Sequence, residues 1–382
     1  MNTSGPGERA KRVGFLELFF DLVFVFAVTQ LVAVLYGDHS AAGWGRAAVL
    51  LWLVWWAWSQ YAWVGNAIDL DRRLTRIWVL VSSGAMLAAA AALPEVFTSN
   101  RSAAIFGVLY TAVRLIGLGL YWTGLADDGA YRAALRTYLP IQLASPLLVL
   151  VGGMVPSGGR TWLWVAAILV DVASALAAGR GEFRIDPSHF AERHGLIVII
   201  ALGESVIVTG SSASAIGLSG SVATLLAIGF VMVAALWWCY FDWFHAEAEH
   251  RLVSEVDHRR RGRLARDLFT LGHLPIVAGT MVVAAAMKVA LKHPGDELDG
   301  FGVAALTAGP ALYLLGFVLG RVRAAGRVPV ARAVGLVGVL VAGPVAGSSL
   351  PATAAVAAVT AVVLAVLVAE RGLGSRTTAD HD

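Results

Sequence analysis

The 382-residue sequence has a single cysteine, three lysines and few charges of any kind, with Asp, Glu, Lys and Arg making up 14% of it. Each shortage excludes something. One thiol, Cys239, forms no intrachain disulfide. Soluble domains carry about 25% charged residues, so a water-soluble globule is excluded. With only Lys11, Lys288 and Lys292, the basic residues are almost all arginine. Together with abundant Ala, Val and Gly, this is the composition of a GC-rich bacterial coding sequence. Alternating segments of about ten residues, the mark of a membrane β-barrel, are missing. Also missing, in any suitable context, are a Walker loop, a dinucleotide-binding glycine pattern, a His-Glu-x-x-His motif and a nucleophile elbow. No cofactor and no catalytic residue is therefore expected.

What the sequence has is apolar length. It is 58% hydrophobic, with a mean hydropathy of +0.72. The excess falls in blocks of about twenty residues, the length a helix needs to cross a bilayer. Within such blocks only a helix satisfies every backbone N–H and C=O internally. The reading is an all-α polytopic membrane protein of about twelve spans: 15–36, 45–66, 75–93, 103–122, 138–154, 162–178, 190–209, 222–244, 268–289, 301–320, 331–346 and 352–369. Residues 1–12 are polar, and no small-residue cleavage site follows a short apolar core. The first block is expected to stay as a span rather than leave as a signal peptide.

Basic residues set the orientation. Of the 29 Lys and Arg, only Arg46, Arg101, Arg160, Lys288 and Lys292 fall on one side, and Arg114 lies within a span. All others fall on the side of the N-terminus, which places both ends in the cytoplasm of a bacterial cell. The net charge of +3 and pI of about 9.2 thus belong to membrane-flanking loops, and no nucleic-acid partner is expected. The basic stretch 251–266 is expected to meet anionic lipid. Glu247 with His250 and Glu255 with His258 form half of a di-metal carboxylate pattern, but both pairs lie on one stretch, and no metal is expected.

Leu-Val-Trp-Trp-Ala-Trp-Ser-Gln at 53–60 resembles Ala-Leu-Trp-Trp-Cys-Tyr-Phe-Asp at 235–242, a shift of 182 residues or six spans. Nearly the same shift lays Asp21 over Glu204. The pattern reads as two parallel six-helix repeats, 15–180 and 181–370, between a cytoplasmic segment 1–14 and a tail 371–382.

Ionisable side chains within spans cost several kcal/mol unless paired, hydrated or functional. Glu17 and Asp21 are four apart and share a helix face. They call for a cation, a proton, or ion pairs with Arg114 and Arg12. Arg114 cannot deprotonate, so it needs a carboxylate from among Glu17, Asp21, Asp171 and Glu204. Glu204 lies well inside its span and is the leading proton- or cation-handling group. Most of these residues, with Asp242 and His273, fall in the cytoplasmic halves of their spans, which reads as a polar vestibule open to that side.

Phe15-Leu-Glu-Leu-Phe-Phe-Asp-Leu-Val-Phe-Val-Phe-Ala-Val-Thr-Gln (15–30) resembles the opening of the bacterial low-temperature-requirement A (LtrA) family. Arg193-His194-Gly195 followed by Leu202-Gly203-Glu204-Ser205 resembles that family's second hallmark. The resemblance implies a bacterial multi-pass membrane protein. It singles out Glu17, Asp21, Arg193, His194, Glu204 and Ser205 over Asp171 and Asp242. A fainter likeness, to the lysosomal potassium-channel family, stops short: Phe20-Asp21 lacks the serine of the Phe-Ser-Asp motif and the seventh span lacks the motif, so potassium selectivity is not implied.

Three readings follow. The first is a cation or proton transporter or channel using Glu17, Asp21 and Glu204, with Arg114 neutralising them. The second is a membrane enzyme or lipid-homeostasis factor for growth in the cold, relying on His194, Ser205 or the His/Glu loop. The third is a non-catalytic assembly partner. The sequence favours the first.

Overall fold

The computed structural model describes residues 12–124, 129–178 and 185–379. Twelve long helices run through them: α1 (Phe15–Gly37), α2 (Ala41–Ala67), α3 (Arg73–Ala92), α4 (Asn100–Gly124), α5 (Gly129–Met154), α6 (Ser157–Ala178), α7 (Pro187–Ile216), α8 (Gly220–Ser254), α9 (His258–Lys292), α10 (Gly300–Ala325), α11 (Val330–Gly347) and α12 (Ala352–Ala379). Among the described residues there is no β-strand beyond an isolated bridge between Glu297 and Pro351. The helices start where short polar side chains can take up orphan backbone N–H groups. Ser40, Asp186, Ser219, Asp257 and Asp299 each accept a hydrogen bond from the backbone three residues on. Gly326, at φ +64°, ends α10 in the left-handed conformation that costs glycine least.

Ten of these helices are long and apolar enough to cross a bilayer. Helix α2 is long enough, but its tryptophans, Ser59 and Gln60 lower its hydropathy. The structure shows why that is tolerated: every residue from Leu53 to Ala62 is buried, so protein rather than lipid surrounds this stretch. Trp55, Trp56 and Trp58 thus pack between helices. In α5 the apolar part is 140–154, which carries two prolines, Pro140 and Pro146. Large apolar side chains such as Leu74, Ile77, Trp78, Phe230, Val334 and Val341 point outward, as lipid-facing residues do.

Contacts sort the helix ends onto two faces. On one, Asn66 at the end of α2 meets Asp186, which caps α7, and Arg266 of α9 meets Ala175 of α6. Arg332 of α11 meets Glu370 of α12 there as well. On the other, His39 stacks on Phe301, Lys288 lies over Tyr36, and Asp296 accepts from Ala352 N–H. The chain therefore alternates up and down through the bundle.

Helices α8 and α9 are longer than the spans read for them. Each runs 35 residues, roughly 50 Å at 1.5 Å per residue, against a hydrocarbon core of about 30 Å. The charged stretch after residue 244 is helical on both sides of a break at 255–257. Each helix carries a π-helical turn, Tyr240–Phe244 and Ala265–Leu271.

Neighbour relations have the same order in α1–α6 and in α7–α12. Helix α1 packs on α2 and α3, α3 on α4, α4 on α5, α5 on α6, and α6 returns to α2. Likewise α7 packs on α8 and α9, α9 on α10, α10 on α11, α11 on α12, and α12 returns to α8. Residues 179–184, between α6 and α7, lie outside the described residues, as do 1–11.

Candidate functional site

Helices α1 and α7 lie side by side and run parallel. Near their starts Glu17 meets His189 and Arg193; farther along, Thr29 lies beside Glu204. The face of α7 that does this repeats at helical spacing. His189 and Arg193 are four residues apart, and Glu204 follows eleven residues later, three turns or roughly 16 Å along the axis.

Arg193 is the centre of the first cluster. Its Nη1 donates to Glu17 Oε1 at 2.5 Å and its Nη2 to Asp21 Oδ1 at 3.1 Å. The cation between the two carboxylates is thus the protein's own guanidinium. Glu17 Oε2 accepts two further bonds, from Gly14 N–H (3.0 Å) and His189 Nε2 (3.1 Å). Asp21 Oδ1 also accepts from Trp58 Nε1 of α2 at 2.8 Å, while Asp21 Oδ2 has no partner among the described residues. Glu17, Asp21, His189 and Arg193 are each at most 3% exposed. Gly65 of α2 makes room for the pair: a Cβ there would collide with both Glu17 and Arg193.

The tautomer of His189 follows from its neighbours. Asn66 Oδ1 accepts from Asp186 N–H, and Asn66 Nδ2 donates to Asp186 C=O and lies 3.2 Å from His189 Nδ1. An amide nitrogen facing it makes Nδ1 the acceptor, so Nε2 carries the hydrogen donated to Glu17.

Arg114 does not reach Glu17 or Asp21. It bonds Asp171 of α6 (3.4 Å), Gln142 of α5 (3.2 Å) and Tyr110 (3.0 Å), all within α4–α6. The reason is α2, which stands between the clusters. Its Trp58 turns to α1, while Gln60 and Tyr61 bond the Arg114 and Val113 carbonyls of α4. Arg12 is exposed and outside both clusters. Glu17 and Asp21 with Arg193, and Asp171 with Arg114, therefore form two separate buried sets rather than one open vestibule, and Glu204 and His273 lie outside both. Asp242 joins neither, being exposed and bonded to Trp238.

Glu204 is 3% exposed, and its Oε1 has no partner among the described residues. Ser205 beside it donates to the Thr280 carbonyl of α9 at 3.0 Å, a bond between helices. His194 is fully buried against Trp58, Phe190, Phe269 and His273. Its Nδ1 donates to the Phe190 carbonyl at 2.8 Å, and its Nε2 has no partner among the described residues. His273 Nε2 lies 2.7 Å from the Tyr240 hydroxyl, beside the two π-helical turns. Such turns recur at functional positions in other proteins.

Some residues had no place in the sequence reading. His189 carried a signal, standing four before Arg193 on one helix face, and Trp58 read only as a deep tryptophan packing between helices or against lipid, but Asn66, Gln142 and Gly65 carried none. Arg160, counted with the loops, is buried, its guanidinium bonded to the Val96, Gly152 and Val155 carbonyls and to Asn100. It closes helix C-termini, where backbone carbonyls lack partners. Among the described residues no group of three or more His, Cys, Asp or Glu could hold a metal, and Glu247 is paired with Arg321.

Fold and site together define a multi-pass helical membrane protein in which α1 and α7 meet at a buried ionic cluster. The model of the bacterial low temperature requirement A protein (LtrA) family matches residues 12–368, and the chain belongs to that family. It is 30% identical over 317 residues to an uncharacterized protein of Rhizobium meliloti (strain 1021), covering 80% of this chain and 76% of that one. No solved structure matches the chain.

Proposed function

We propose that this protein is a transporter or channel for a proton or a small cation in the bacterial cytoplasmic membrane. Its pathway follows the seam between α1 and α7. The observation that carries this reading is the seam itself: three buried carboxylates, Glu17, Asp21 and Glu204, along one interface, with a single guanidinium among them. A purely structural ion pair has no need of the excess, as the one-to-one Arg114–Asp171 pair illustrates. Arg114 then supports the packing of α4 on α5 and α6, and His194 packs against α2 and α9 at the level of Arg193. The matching neighbour order of the two halves favours a six-plus-six architecture, in which such seams carry substrates.

The lopsided distribution of arginine favours both termini in the cytoplasm. In that orientation the projecting ends of α8 and α9 present residues 251–266 to the anionic inner leaflet. An enzymatic reading has less support, because the hydroxyl of Ser205 and the carboxylate of Glu247 are both engaged in packing bonds.

The test is flux in proteoliposomes. Native protein is expected to move protons, sodium or potassium, and Glu204→Gln, inserted and folded normally, is expected to lose that flux. Absence of all three fluxes from intact native protein would overturn the reading.

A further inference from the structure

The cluster at the start of the seam does not balance in charge. Glu17 and Asp21 bring two carboxylates and Arg193 one guanidinium. His189 does not supply the missing charge, because its Nδ1 faces the Asn66 amide nitrogen and is held as an acceptor. Among the described residues no other cation bonds either carboxylate. Helix α2 contributes Trp58 and Asn66, and α7 contributes His189, Arg193 and, across the Trp58 ring, His194, whose Nε2 has no partner among the described residues. A net charge held among groups at most 3% exposed costs several kcal/mol unless it is neutralised.

Hydrogen-bond accounting says where neutralisation falls. Glu17 accepts three bonds across its two oxygens, as an ionised carboxylate does. Asp21 accepts two, both on Oδ1, and its fully buried Oδ2 has none among the described residues. An ionised oxygen left there bears the full desolvation penalty; an O–H bears much less of it.

We propose that Asp21 Oδ2 is a proton-binding site, neutral at physiological pH, and that the species handled by the α1–α7 seam is the proton. The site itself stands on geometry and charge; its role in transport rests on the function proposed above. In the exchange step the Oδ2–H bond breaks, the proton leaves to water or to a neighbouring base, and the electron pair stays on Asp21. The cluster then passes from neutral to a net charge of −1.

The experiment is infrared spectroscopy of the full-length protein in nanodiscs, following the C=O stretch of protonated carboxylic acid as pH is raised. Glu204, a second buried carboxyl with an unpartnered oxygen and no cation, is replaced by Gln in every sample. In that background the protein is expected to show a carboxylic-acid band at neutral pH that disappears in alkali and is absent when Asp21→Asn is added. This variant keeps the shape and neutrality of the protonated side chain and should fold. Glu17→Gln provides the sharper readout. With one carboxylate left to one guanidinium, Asp21 should ionise, and the band should vanish although Asp21 is present. In the Glu204→Gln background, a band that persists in Asp21→Asn, or that survives in Glu17→Gln, overturns the proposal. Flux of protons and of potassium, measured on native protein and on Asp21→Asn with Glu204 in place, separates the site from the transport reading. The expected band without proton flux upholds the site and removes its role in transport. Potassium flux lost in Asp21→Asn with no accompanying proton movement overturns the proton as cargo.

Discussion

Gly65 of α2 lies against the carboxylate of Glu17 so closely that no side chain fits between them. Any Cβ at this position drives Glu17 and Arg193 apart or pushes α2 off α1. Gly65→Ala is expected to lower stability by about 1–3 kcal/mol, the usual cost of overpacking, with disruption of the ionic cluster in addition. The check is thermal unfolding in detergent, compared with Gly84→Ala, where the added methyl meets open space.

Removing Arg193 strands two buried carboxylates. Arg193→Gln is expected to cost about 3–5 kcal/mol, as breaking a buried pair does. The double variant Arg193→Gln/Glu17→Gln should recover part of that loss, because fewer charges remain uncompensated. A double-mutant cycle on unfolding midpoints measures the coupling, and additive losses would show that the contacts are not coupled.

Arg114 and Asp171 should behave as a structural pair. Arg114→Met alone leaves the Asp171 carboxylate buried without its cation and is expected to destabilise strongly. Arg114→Met/Asp171→Leu removes both charges and should regain much of the stability. Proton flux in the folded double variant should match that of the native protein, since α2 keeps this pair away from the α1–α7 seam.

Topology can be read with thiols, because the only cysteine, Cys239, is fully buried. Ser348→Cys, in the exposed turn between α11 and α12, is expected to react with an impermeant maleimide in intact cells. Ser254→Cys, at the end of α8, is expected to react only after lysis. The reverse pattern would invert the proposed orientation.

Apolar block length exposed nearly every helix to sequence reading, because crossing a bilayer imposes a period that composition alone reveals. The ends of α8 and α9 lie outside the apolar blocks, since beyond residue 244 the helices continue as the charged helical extension that the sequence suggested, with Ala248 and Leu252 buried against the bundle. Glu17, Asp21 and Glu204 were legible as buried carboxylates in apolar surroundings. The family resemblance singled out Arg193 as well, but its pairing with Glu17 and Asp21 was not legible. Arg193 sits at a span's start, where sequence reading assigns arginine to orientation, and Arg114, deeper in its span, was read as their partner instead. Which charges meet depends on which helices are neighbours, and hydropathy is silent about that. The position of α2 between the clusters decided the pairing.

Burial of α2 has a consequence for how the protein is made. A segment carrying this much indole and amide has little reason to partition into lipid alone, and its wall of neighbours includes α7, which is synthesised more than a hundred residues later. Its residence in the membrane is therefore a property of the assembled bundle. Until the second half arrives, Asp21 can still be capped by Trp58, but Glu17 and Asp21 have no Arg193. The ionic cluster doubles as a latch that closes only when both halves of the chain are in place.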